Sequence, residues 1–342
     1  MFTCLMRTFL ALLMAASAWQ TCSAETTNCT DLVPAAKKDS KLVWYTGENT
    51  NITKSIAAAF EQKYGISVEI NRSGTQQVAN QFLKEAGAGI HNGDAITVFN
   101  LSILTDMSSR GLLARFVPSI ASKLDPRFRD PEGYWVATNA DLYIIAYNTD
   151  KIKGAEVPHS WKDLLSDKWR GKLVMGSPLY SGTVFQGTAG LVKLYGWDYF
   201  ERLAKLHPLI VQSVLNTANP IVSGEREVGL SSDQFTRETA KKGNPIGISI
   251  PADGPIFVPA GLAVAKDAPH PNAARLWACF YLSDQVQQML AQYGYYPVMP
   301  GVSLDQGKKS LAEQKNLVIV DPATVLKESS EVNKKFQTLF GG

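Results

Sequence analysis

Apolar and polar positions along this chain alternate between two rhythms. Short runs of branched and aromatic residues read as strands. Between them apolar residues recur every three or four positions, the mark of a helix with one buried face. Lys41 to Tyr45 is the first such strand. The polar turn Thr46-Gly47-Glu48-Asn49 follows it. Asn51 to Tyr64 then predicts a helix with Ile52, Ile56, Ala59, Phe60 and Tyr64 on one face. Gly65 ends that helix, because glycine takes the left-handed conformation that closes one. Ile66 to Asn71 predicts a second strand, Ser73-Gly74-Thr75 opens a second helix, and Ala95 to Phe99 predicts a third strand. Strand, polar loop, helix and strand form a βαβ pattern, which predicts a mostly parallel sheet.

Two long β-rich segments interrupt this rhythm, Tyr134 to Asn148 and Ile256 to Lys266. Between them a second α/β set repeats the pattern. Its strands are predicted at Lys172 to Gly176, Leu209 to Val214, Val228 to Ser231 and Ile246 to Ile250, with helices from Thr183 and near Ala218. After the second segment, Pro271 to Leu282 and Asp284 to Tyr293 predict helices. The chain leaves one lobe, builds another and returns. The expected fold is therefore α/β with two lobes, each a mostly parallel sheet flanked by helices, joined by two hinge strands. Residues 25–138 and 260–342 are assigned to the first lobe and 139–259 to the second. Ligands of such sheets bind at the carboxyl ends of strands, so the strand-to-helix loops should line a cleft between the lobes.

Composition narrows the picture. Met1 to Ala24 has one basic residue, Arg7, an apolar stretch from Phe9 to Trp19 and the small-residue end Cys22-Ser23-Ala24, which is the pattern of a secretory signal peptide. Without it the net charge falls from +3 to +2, an even balance that argues against nucleic acid as a partner. No later segment is long and apolar enough to read as a transmembrane helix. The expected location is the periplasm. Cys29 and Cys279 remain after export, either as a disulfide or as two buried thiols. No spacing of His and Cys suggests a metal site, and no cofactor is expected. Ser223-Gly224-Glu225 is not a hydrolase elbow, and no His is placed to activate a serine. The reading is a non-enzymatic monomer.

Three strand-to-helix loops share one chemistry: Thr46-Gly47-Glu48, Ser73-Gly74-Thr75 and Ser181-Gly182-Thr183. Helix starts leave backbone N–H groups unpaired and favour negative charge. Each loop taken alone is also an ordinary helix cap. One Ser-Gly-Thr in each lobe suggests two walls of an anion seat. Trp135 adds an aromatic edge, and Asn139 and Asn219 are amide donors. Arg72 either forks onto an anion or points to solvent.

Four stretches carry a family resemblance: "LVWYTGENTNITKSIAAAFEQKYGISVEI", "VATNADLYIIAYNTDKI", "PHSWKDLLSDKWRGKLVMGSP" and "PIFVPAGLAVAKDAPHPNAARLWACFYLS". They resemble the type II periplasmic solute-binding proteins of ABC importers, in the branch that takes ferric ion, phosphonates and sugar phosphates. The resemblance implies a clamp that closes on a small ligand, performs no chemistry and delivers to an inner-membrane permease. Ferric-binding relatives usually carry two adjacent tyrosines after the strand that here reads "VGLSS". This chain has Ser231-Ser232-Asp233-Gln234-Phe235 instead. Ferric iron selects anionic oxygen donors such as phenolate, so their loss turns the expectation from iron to a small anionic metabolite. A phosphonate such as 2-aminoethylphosphonate or a phosphate ester suits the loops, with Asp233 receiving an ammonium group. Ferric iron and a secreted enzyme on the same frame are the alternatives, and a sensor subunit would look the same in sequence.

Overall fold

Lys41–Thr46 (β1) is buried along almost its whole length, as befits a strand covered on both faces. The helix after it, Thr50–Tyr64 (α1), is capped by Asn49, whose side chain accepts from the Asn51 N–H at 2.9 Å. Gly65 closes the helix at φ +71°. Ile52, Ile56 and Phe60 face inward, on the stripe that the spacing predicts. The structure, a computed structural model, describes residues 26–304 and 308–341. The predicted signal peptide lies outside these residues.

Ser67–Arg72 (β2) and Ala95–Val98 (β3) flank β1 in parallel, joined through helix Thr75–Gly87 (α2). Leu101–Ser109 (α3) follows. Val136–Asn148 (β4) then carries the chain out. The second set comprises Leu173–Gly176 (β5), Gly182–Tyr195 (α4), Trp197–Ala204 (α5), Leu209–Val211 (β6) and Ala218–Val222 (α6). Val228–Ser232 (β7), Asp233–Lys241 (α7) and Ile246–Ser249 (β8) complete it. Ile256–Val264 (β9) returns, followed by Pro271–Tyr281 (α8), Asp284–Gln292 (α9) and Tyr296–Pro297 (β10).

The strands run in the order β2-β1-β3-β9-β4-β7-β5-β6, with β8 and β10 also paired to β4. The outer strands of each half are parallel, as the alternation predicts. The two crossing strands are antiparallel to each other and to their neighbours β3 and β7. A chain that goes out on one strand and back on the next must pair them in opposite directions. They fuse the halves into a single curled sheet, where the sequence suggested a sheet per lobe. β9 bonds to β4 over Ile256 to Leu262 and to β3 over Gly261 to Val264, with a register shift after Ala260.

A third connection escaped the sequence reading. Phe257 N–H donates to the Val318 carbonyl at 2.9 Å, and Lys193 Nζ donates to the Ile319 carbonyl at 2.7 Å. The chain beyond β10 thus passes the second lobe before the final helix, Pro322–Phe340 (α10). Helix α10 spans both halves: it packs along α3 of the first and sets Val325 and Val332 against Phe185 and Ala189 of α4 in the second.

Cys29 and Cys279 form a disulfide, with Cα atoms 5.7 Å apart. Of the two readings left open by sequence, the structure takes the bridge. It ties the N-terminal segment to α8. That helix also supplies Trp277, packed 4.8 Å from Trp44 between ring centroids in the core.

Candidate functional site

The strand-to-helix loops of both halves converge over the crossing strands. Gly47, Gly74 and Thr75 come from one side, and Ser181, Gly182 and Thr183 from the other. Together they line a cavity of about 40 Å³. The lobes are in contact across it. Gln76 N–H donates to the Tyr180 carbonyl at 3.3 Å. A Cβ built on Gly74 would stand 2.5 Å from the Tyr180 ring, and one on Gly182 would stand 2.7 Å from Thr75 Cγ2. These glycines let one lobe approach the other, a use distinct from the close approach of a ligand that their sequence context suggests. Ser181 caps α4, accepting from the Val184 N–H at 3.4 Å. The first-turn N–H groups of α2 and α4 have no partners within their helices, and both helix starts open on the cavity.

Charge enters from two residues. Arg72 lines the cavity, with its Nε donating to the Glu48 backbone carbonyl at 2.9 Å. That bond anchors the guanidinium on the wall and leaves its other N–H groups for an anion. Asp141, on β4, lines the floor. It accepts from the N–H groups of Leu142 at 2.8 Å and Gln234 at 3.0 Å, and from the Ser232 hydroxyl. Burial pushes its carboxyl up to about 6, nearby Asp233 adds to the rise, and the Ser232 hydroxyl opposes it.

The other expected residues stand off the cavity. Asp233 is fully buried behind it. It opens α7, so its carboxylate turns to Arg237 one turn on, at 2.8 Å, and to Lys308 at 3.2 Å. Along β7 successive side chains alternate sides, and Ser232 takes the cavity side at the strand end. Thr46 turns inward and accepts from the Glu48 N–H at 3.1 Å. The Glu48 side chain also points into the core, where it accepts from the Tyr281 hydroxyl. Burial pushes Glu48 up to about 7, opposed by the Tyr281 hydroxyl and the Asn139 amide. Asn139 is buried beside it rather than in the cavity. Trp135 is a core residue packed with Val43 and Ile96. Asn219 is exposed on α6. Asp94 and Asp253 are structural acceptors: Asp94 for Val43 and His270, Asp253 for Trp161 and Tyr195.

Sequence reasoning missed Asp141. Its signal was an acid amid the apolar run Tyr143 to Ala146 and its neighbours, where an unpaired charge is rarely placed without a task. Phe99, Tyr180, Ser213 and Tyr295 also line the cavity. Among the described residues no cluster of three His, Cys, Asp or Glu side chains is placed to hold a metal ion.

Two lobes meeting over a polar cavity, on a sheet whose crossing strands join them, define a solute-binding clamp. The chain belongs to the bacterial extracellular solute-binding protein family, whose model matches residues 94–326. It is the solute-binding component of an ABC importer, a family of binders rather than enzymes. The Fe(3+)-binding periplasmic protein of Serratia marcescens is 28% identical over 163 residues, 47% of each chain. Iron-bound HitA from Pseudomonas aeruginosa is 26% identical with a TM-score of 0.77, over 87% of this chain and 99% of that one. AfuA from Actinobacillus pleuropneumoniae, with fructose-6-phosphate bound, is 21% identical with a TM-score of 0.78, over 88% and 98%. Among the described residues no helix is long and apolar enough to cross a membrane.

Proposed function

We propose that this solute-binding protein captures a small oxyanion-bearing metabolite, a phosphonate such as 2-aminoethylphosphonate or a compact phosphate ester, in the periplasm. One observation carries the reading: two helix starts and Arg72 face the same cavity as the Asp141 carboxylate. The helix starts and the guanidinium suit an oxyanion. A purely anionic ligand would meet repulsion from Asp141, whereas an ammonium group on the ligand would pair with it. Asp141 thus takes the role that sequence gave to Asp233. Size supports a compact guest. A water needs roughly 10–15 Å³ of such space, so about 40 Å³ admits a few waters or one tetrahedral group. A hexose phosphate would hold the lobes further apart. The signal-peptide pattern of residues 1–24 supports export, and the permease is the partner that the family implies.

A second reading, ferric iron, draws on Tyr180 and Tyr295, which line the cavity with Asp141, and on the iron-binding relatives. Burial and the nearby Glu48 and Asp141 raise Tyr295 well above the ordinary phenol range, so its phenolate would form only as the ion itself displaces the proton.

Thermal shift and calorimetry with 2-aminoethylphosphonate, methylphosphonate, glycerol phosphate and ferric citrate test both readings. A ligand that binds only the folded form raises the melting temperature. The expected order puts 2-aminoethylphosphonate first. A response to ferric citrate alone overturns the proposal.

A further inference from the structure

The C-terminal helix α10 lies across the seam between the lobes, with two unlike sides. One side is seated on the second lobe. Val325 and Val332 pack with Phe185 and Ala189 of α4, all at most 3% exposed. Phe340 meets Phe200 of α5 edge-on at 6.4 Å, and Lys335 Nζ stands 5.2 Å from the Trp197 ring centroid. The other side packs directly along α3 of the first lobe, beside a crevice of about 230 Å³. Leu326, Ser329 and Asn333 of α10 line that crevice opposite Ile103, Asp106 and Arg110. Asn333 Oδ1 is buried there with no hydrogen-bond partner. In the same seam Gln186 of α4 donates to Asn100, the N-cap of α3, at 3.1 Å.

Lobes that rotate apart must shear α10 from one neighbour or the other. Parting the dry side would expose valine and aromatic surface to water, which is costly. Parting the crevice side exposes about as much polar as apolar lining, including the unpartnered Asn333 Oδ1, and water can satisfy the polar half. We propose that α10 travels with the second lobe and acts as a clasp, its contact with α3 forming on closure and setting how stable the closed form is. The proposal rests on the two-lobe clamp and not on the identity of the ligand.

Small-angle scattering of the chain without ligand reads the lobes directly. The double variant Ser329→Arg with Asn333→Arg adds bulk and two cations opposite Arg110. A larger radius of gyration than wild type is expected. Binding of 2-aminoethylphosphonate should weaken about tenfold, because a ligand that needs the closed form binds in proportion to its population. If the double variant loses its cooperative melt, Ser329→Arg alone, at a half-buried position, carries the same expectation. A folded variant with the wild-type scattering curve overturns the clasp. Absence of phosphonate binding in wild type, by contrast, speaks only against the ligand assignment, since the scattering result stands without it.

Discussion

Gly182 opens α4 in one lobe and faces Thr75, which opens α2 in the other. A Cβ at position 182 would stand 2.7 Å from Thr75 Cγ2 and 2.9 Å from Thr75 Cβ. Carbon atoms pack best at roughly 3.5–4.0 Å. Thr75 Cβ is bonded to the backbone and cannot swing aside, so Gly182→Ala must hold the lobes apart by roughly half an ångström or more. Overpacking of this kind costs about 1–3 kcal/mol. The cost falls on the closed form alone, because the colliding atoms belong to different lobes. At tenfold per 1.4 kcal/mol, ligand affinity should drop by roughly fivefold to 150-fold. Folding stability should move the other way. Position 182 is the first residue of α4 and has no left-handed φ, so alanine there stabilises by about 0.4–1 kcal/mol through the unfolded chain's smaller entropy. Calorimetry with 2-aminoethylphosphonate reads the first effect, and urea denaturation without ligand reads the second. Adding Thr75→Ser removes the Cγ2 contact while keeping the cavity hydroxyl, and should restore part of the affinity. Wild-type affinity in Gly182→Ala, or a double variant as weak as the single, would refute the claim that this glycine serves lobe-to-lobe contact.

Asp141→Asn should weaken 2-aminoethylphosphonate about tenfold or more while sparing methylphosphonate, because only the former offers a cation to the carboxylate. For the same reason wild-type affinity for the amino-phosphonate should fall as pH drops through about 6, where Asp141 takes up its proton; equal pH profiles for the two ligands would count against the pairing. Glu48 has its folded value pushed up to about 7 from 4.5, so the folded state holds the proton more tightly than the unfolded chain. Stability should therefore decline as pH rises from about 4.5 to 7, by on the order of 3 kcal/mol, and Glu48→Gln should flatten that slope in urea titrations. Reduction of the Cys29–Cys279 bridge should cost about 2–5 kcal/mol of stability with ligand affinity near wild type, since neither cysteine lines the cavity.

Much of the fold was legible from local pattern. The helix over Asn51 to Tyr64, its end at Gly65 and the strands of both halves fall within a few residues of where periodicity puts them. Both Ser-Gly-Thr loops reach one cavity, as a strand-to-helix loop at the carboxyl edge of a sheet should. The acids were harder. Asp233 and Asp141 lie in different elements, far apart in sequence. Which one faces the cavity depends on the side chosen by Ser232 and on Lys308, which arrives from beyond β10 to pair with Asp233.

The linear order of residues was enough for the element types, the departure and return of the chain, and the chemistry of the helix starts, because periodicity, glycine and capping act over a few neighbouring positions. Tertiary structure alone decided the pairing of Cys29 with Cys279, the path of the chain from Val318 into α10, the burial of Glu48 and the choice of Asp141 as the cavity's carboxylate. Each of those depends on groups far apart in sequence meeting in space, and on which of them water can still reach.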